Sequence, residues 1–202
     1  MATKKSSSKQ PSRKRAVSKS APRRSSGAGK TPKNEAIAQL TADHARVKKL
    51  FKQYDRLAKA EASDKQKQDL AAMICAELTA HATAEEEIFY PAARAAIDKV
   101  ELIDEADIEH ASAKDLIAQI EGSSPSDGHY DAKVKVLGEY IDHHVQEEEG
   151  EMFPKVRRAK VDTVALGEQI AARKEEIMRK KSALKSSDRP HAEQRTPEIA
   201  MA

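Results

Sequence analysis

The chain has 202 residues, of which 34% are charged, 39% hydrophobic and only 3% aromatic, with no tryptophan; its mean hydropathy is −0.73. That length suits one domain of ordinary size with room for tails, and no run of about 18 apolar residues is present, which excludes a membrane-spanning helix. The basic, Ser-rich N-terminus has no apolar core segment and so does not read as a secretory signal. The single cysteine, Cys75, cannot pair internally and points to a reducing, cytoplasmic setting.

The net charge of +3 conceals an asymmetry. Residues 1–33 hold 11 Lys/Arg and no Asp or Glu, which leaves 25 basic and 33 acidic residues in 34–202, a net of −8. Such a segment cannot bury enough apolar surface to offset its chain entropy, so 1–33 is predicted to be a disordered basic arm. A polycation of this kind can hold nucleic acid non-specifically by counterion release; it can also serve simply as a solubilising tail. No folded DNA-reading motif accompanies it.

Few aromatics, seven glycines and many Ala, Glu and Lys favour helix over sheet. The first helix is predicted over 34–60, with Thr31 as N-cap and Pro32 in the first turn. The second starts at Ser63 and runs to Tyr90, where Pro91 interrupts it. The third spans 102–121 and ends at Gly122. A loop, SSPSDGH (123–129), leads to a fourth helix over 131–153, stopped by Pro154. Asp162 caps a fifth, amphipathic helix over 162–184, within an additional segment 159–185. Residues 186–202 read as a flexible tail. Helices of this length joined by short connections imply an all-α, antiparallel up-down four-helix bundle over 34–158.

The core of a bundle comes from positions spaced three and four apart, so each inward stripe can be written down. The first helix gives Ile37, Leu40, His44, Val47, Phe51 and Tyr54. The second gives Leu70, Ile74, Leu78, His81, Glu85 and Ile88. The third gives Ile103, Ala106, His110, Ala113, Ile117 and Ile120. The fourth gives Val134, Leu137, Ile141, His144, Glu148 and Met152. Every apolar stripe is interrupted by a histidine, and in two of them a glutamate follows four residues later. Satisfied core histidines or an exposed polar seam would account for one such position, not for six. Two unpaired buried carboxylates are very unfavourable, and a bound cation removes the difficulty, because residues i and i+4 share one helix face.

The pattern repeats. His81 and His144, Glu85 and Glu148, and Pro91 and Pro154 are each 63 residues apart, and HATAEEEIFYP matches HVQEEEGEMFP; the lone histidines His44 and His110 are 66 apart. Two halves, each with one lone His and one His-x-x-x-Glu, suit two metal ions with the glutamates as bridges. Imidazole with carboxylate suits iron, and can also hold manganese or zinc. His143 and Glu86, Glu87, Glu147 and Glu149 lie off the stripe and read as a solvated acidic rim. Cys75 reads as a small core residue. Tyr54 is too far along its helix to coordinate, and Tyr140 reads as core packing with a lesser claim to a place beside the site.

The segments DHARVKKLF, HATAEEEIFYP, EHASAKDLI and HHVQEEEGEMFP resemble the hemerythrin-like HHE cation-binding family over about residues 36–158. The resemblance implies a bundle around a non-haem di-iron centre with His44, His81, Glu85, His110, His144 and Glu148 as ligands. Lys114 stands where the oxygen-carrying members have a fifth histidine, and His-x-x-x-Glu occurs in both halves, so the chain is closer to the broader bacterial HHE group than to the carriers. Six protein ligands leave positions for oxygen, nitric oxide or peroxide. The expected function is therefore binding or sensing of such a ligand, or of iron itself. A di-iron redox enzyme, or a DNA-associated metal protein tethered by its arm, are the alternatives. The basic arm and the fifth helix lie outside the resemblance.

Overall fold

The structure is a computed structural model that describes residues 35–187, the last three by their backbone alone. The predicted arm, the Thr31 cap and all of the tail beyond Ser187 lie outside the described residues. Their regular structure is helical, with no strand among the described residues: α1 (Ala36–Lys59), α2 (Asp64–Ala84), α3 (Tyr90–Arg94), α4 (Glu101–Glu121), α5 (Tyr130–Glu147), α6 (Phe153–Arg158) and α7 (Thr163–Ser187). Helix α1 is capped by Glu35, whose carboxylate accepts from the backbone N–H groups of Ile37 and Ala38 at 3.3 and 3.0 Å. Ser63 caps α2 with a capping box completed by Gln66, which satisfies donors that the first turn cannot.

The two proline positions differ from expectation. Neither helix stops there. Instead, α2 passes through a π-helical turn, Glu85–Phe89, into α3, and α5 passes through Glu148–Met152 into α6. The N–H of Tyr90 bonds to the carbonyl of Glu85, and that of Phe153 to Glu148, five residues back in each case. The wider turn relieves the clash that a proline ring makes with the preceding turn of a regular helix, so Pro91 and Pro154 enter the first turns of α3 and α6.

Helix α1 packs on α2 and α5, and α4 packs on α2 and α5, closing a ring of four. The core falls into two apolar clusters. One includes Ile37, Leu40, Phe89, Ile103, Met152 and Phe153. The other includes Val47, Ile74, Leu78, Ile117, Val134 and Leu137. Helices α1 and α4 pass from the first cluster to the second, whereas α2 and α5 pass from the second to the first, so successive long helices run in opposite directions. Between the clusters lies one polar layer holding His44, His81, Glu85, His110, His144 and Glu148, all buried. Tyr140 is half exposed and is not part of the core, contrary to its reading from the sequence. Tyr54 is buried at the far end of the second cluster, where its hydroxyl donates to Asp131 at 2.7 Å.

Helix α7 is integral to this fold. It packs on α1 and α2 and buries Ile170 completely in the first cluster. Lys174 pairs with Asp43 of α1, Arg173 with Glu87 at 2.6 Å, and Gln39 donates to the carbonyl of Gly167 at 2.9 Å. Replacing Ile170 with Ala is expected to cost about 2–5 kcal/mol in chemical denaturation. A change below about 0.5 kcal/mol, the range of a surface substitution, would show that α7 is not part of the cooperative unit.

Candidate metal centre

Each of α1, α2, α4 and α5 contributes one histidine to the polar layer, and the two π-helical turns open with its glutamates. The layer is organised as two pairs. His44 and His81 face each other with Nε2 atoms 3.1 Å apart, and so do His110 and His144. Glu85 Oε2 lies 3.0 Å from His81 Nε2 and 3.6 Å from His110 Nε2. Glu148 Oε2 lies 3.3 Å from His44 Nε2 and 3.5 Å from His144 Nε2. Each carboxylate therefore reaches both pairs.

An outer ring of carboxylates fixes the rings. His44 Nδ1 meets Glu149 at 2.9 Å, His81 Nδ1 meets Asp43 at 3.4 Å, His110 Nδ1 meets Glu86 at 3.0 Å, and His144 Nδ1 meets Glu109 at 2.8 Å. An ionised carboxylate only accepts, so each Nδ1 carries a proton, which leaves Nε2 as the atom that meets a cation, or a second proton, on the inward side. This ring follows the same repeat, since Glu86 and Glu149 are 63 residues apart and Asp43 and Glu109 are 66 apart. Glu86 and Glu149 are thus partners of the histidines and not simply a solvated rim. Asp43 and Glu109 were legible as the acidic residue immediately before each lone histidine. His143 is exposed on an outer face, near Glu109 and Glu147.

A tyrosine that the stripes missed also enters the layer. Tyr90, 2% exposed, donates its hydroxyl to Glu148 Oε1 at 2.9 Å and sits 3.3 Å from His110 Nε2. Burial and the charge of Glu148 hold its phenol well above the ordinary tyrosine range. In a regular helix the residue facing inward after Glu85 would be Ile88. The π turn shifts the register, so Phe89 and Tyr90 are buried instead.

The donor set fits cations. Three buried carboxylate oxygens, both of Glu85 and Oε2 of Glu148, have no hydrogen-bond partner, which is costly unless a charge offsets them. Two Nε2 atoms at 3.1 Å repel unless a proton or a metal lies between them. Without metal, a proton takes that role. Burial pushes the His81 imidazole down, but Glu85, Asp43 and Glu148 outweigh it and raise it to about 10 from an ordinary 6.5. Burial pushes Glu148 up, and the nearby imidazoles of His44, His144 and His81 outweigh it, to about 2 from 4.5. The position of Lys114 is settled by Glu86, whose Oε1 it contacts at 2.6 Å; the hydrogen bond from His110, with Lys114, brings Glu86 down to about 2.

Beside the Nε2 atoms lies a cavity of about 20 Å³, walled by apolar residues including Val47, Leu78, Ile117 and Ile141. It exceeds the space of about 10–15 Å³ that one water needs. A larger cleft of about 410 Å³, lined by Lys48, Phe51, Gly138 and Asp142, adjoins it. His44, Ile141 and Val145 line both.

Comparison with known proteins agrees with this geometry. The family model described as the hemerythrin HHE cation binding domain matches residues 35–186. The match includes α7, so the fifth helix does not lie outside the resemblance. A solved structure of a hemerythrin HHE cation binding domain-containing protein from Mycobacterium kansasii aligns with a TM-score of 0.60 at 27% identity, covering 75% of this chain and 91% of that one. A protein of Nostoc sp. described as a DNA nickase is 34% identical over 122 residues, 58% of this chain and 32% of that protein. The chain spans about a third of the length of that relative.

The shifted groups define a pH window for the metal-free protein. His81, raised on folding, stabilises fully below 6.5, and its contribution is lost as pH rises through about 10. Glu148, lowered on folding, stabilises fully above 4.5, and its contribution is lost as pH falls through about 2. Chelator-treated protein is therefore expected to be most stable between these limits, and its unfolding free energy in urea to decline steadily from pH 6.5 upward. A steady gain in stability over that range would contradict the protonated His81.

Proposed function

The chain belongs to the hemerythrin HHE cation binding domain family, and from that premise we propose that it is a non-haem di-iron protein that binds or senses a small ligand such as oxygen, nitric oxide or peroxide. In this reading α1, α2, α4 and α5 form the family's antiparallel bundle, with α7 as a fifth helix. One ion would be held by His44 and His81 and the other by His110 and His144, with Glu85 and Glu148 reaching both. The observation that carries the proposal is the set of paired inward Nε2 atoms facing buried carboxylate oxygens that have no hydrogen-bond partner. Iron suits this mixed imidazole and carboxylate set; manganese and zinc are the other candidates. When bound, the ions supply redox-active positions open to a small ligand.

The chain's own residues supply the rest. The outer carboxylates hold the imidazoles in one tautomer. The apolar walls of the inner cavity admit a diatomic-sized molecule and keep bulk water out. Ile141 and Val145, shared by cavity and cleft, line the way in. Lys114, engaged by Glu86, leaves a position open where a further histidine would fill it. The cavity beside the Nε2 atoms has room for one small molecule, which suits binding or sensing of a diatomic. A cytoplasmic setting is consistent with a lone buried cysteine, and no described helix is long and apolar enough to cross a membrane.

A second reading adds nucleic acid as a partner. The 11 basic residues of 1–33, and the likeness to a protein described as a DNA nickase, favour an arm that holds DNA non-specifically. Deleting 1–33 is then expected to abolish retention on immobilised DNA while metal content stays unchanged. Unchanged retention would refute the arm.

Glu148→Ala is expected to lower metal content and thermal stability together, since bound metal at a hundred times its Kd stabilises a fold by about 2.7 kcal/mol. His143→Ala is expected to change neither. Elemental analysis and thermal melts of the two variants check this, and equal metal loss in both would place the site on a different face of α5.

A further inference from the structure

We propose that Tyr90 makes the two cation positions chemically unequal, by directing the carboxylate of Glu148 through a hydrogen bond that has no counterpart in the other half of the site. The proposal rests on the two-cation reading above.

The inequality comes from one break in the repeat. Counting 63 residues onward, His81, Glu85, Glu86 and Pro91 become His144, Glu148, Glu149 and Pro154, but Tyr90 becomes Phe153. Both rings follow a π-helical turn and both are 2% exposed. Each packs against the lone histidine of one half. Phe153 stacks on His44 with centroids 5.8 Å apart and planes 5° from parallel. Tyr90 lies against His110 with centroids 5.4 Å apart and planes 31° apart. The rings are thus equivalent in place and differ by one hydroxyl.

That hydroxyl distinguishes the glutamates. Glu148 Oε1 accepts from Tyr90 at 2.9 Å, leaving only Oε2 without a hydrogen-bond partner, whereas both oxygens of Glu85 lack one. Glu148 therefore offers a cation one oxygen free of hydrogen bonds and a second whose charge is shared with the phenol, whereas Glu85 offers two free oxygens. The hydroxyl also stands 3.3 Å from His110 Nε2, while the other pair has only a phenyl ring at the corresponding place. The pair His110 and His144 consequently sits in a polar corner, and the pair His44 and His81 against a hydrocarbon wall. Tyr90 acts through Glu148 and is a positioning residue, not a ligand.

The test uses the full chain loaded with ferric iron and read by Mössbauer spectroscopy, with stepwise iron uptake followed separately. The wild type is expected to show two distinct quadrupole doublets and two uptake steps separated by about tenfold, the scale of one hydrogen bond to a charged group. Tyr90→Phe, which removes only the hydroxyl, is expected to retain full iron content while the doublets merge and the steps draw together. The exchange Tyr90→Phe with Phe153→Tyr is expected to restore two doublets by moving the hydroxyl to the other half. Doublets unchanged in Tyr90→Phe would overturn the proposal. So would a phenolate-to-iron band in the visible spectrum that Tyr90→Phe abolishes, because Tyr90 would then be a ligand. Failure of the wild type to hold two ions per chain would instead overturn the two-cation reading itself.

Discussion

Two carboxylates, Glu85 and Glu148, lie at the centre of the molecule with 0% and 1% exposure, and the surrounding structure is arranged to offset their charge. An unpaired ionised carboxylate in such a setting costs several kcal/mol. Four imidazoles converge on the pair, and four further carboxylates at the edge of the layer orient the imidazoles. The arrangement is polar through its whole width and is sealed above and below by apolar clusters. Its charge balance needs a positive centre. A proton on His81 provides one in the metal-free protein, and the proposed cations provide a stronger one.

The same layer explains how the chain is divided. Along α1 and α4 the histidine marks the crossing from one cluster to the other, and along α2 and α5 the crossing runs the opposite way. Helix α7 covers the flank formed by α1 and α2 and reaches the layer indirectly, since Lys174 pairs with Asp43, which in turn meets His81 Nδ1. Folding of the last long helix and orientation of one inner imidazole are therefore linked through a single carboxylate.

Much of this was legible in the sequence. Spacings of three and four placed His44, His81, Glu85, His110, His144 and Glu148 at one level, because up to Glu85 and Glu148 the helices are regular. Beyond those residues the spacing rule fails. The π turns add a residue, so Ile88 yields its inward place to Phe89 and Tyr90, and the polar hydroxyl in the site went unseen. The prolines that follow both turns were read as stops, although each is tolerated by the wider turn before it. Glu86 and Glu149 lie off the inward stripe and look solvated until the neighbouring helix brings a histidine against them. The fifth helix showed an amphipathic stripe, but sequence spacing alone does not say which surface such a stripe covers. The basic arm is legible only as composition.

Anomalous diffraction at the iron edge, from crystals of protein purified without added metal, tests the central claim most directly. The account predicts two peaks in the polar layer, one beside the Nε2 atoms of His44 and His81 and one beside those of His110 and His144, with Glu85 and Glu148 in reach of both. A layer with no peak, a single peak, or peaks confined to the outer face near His143 would contradict it.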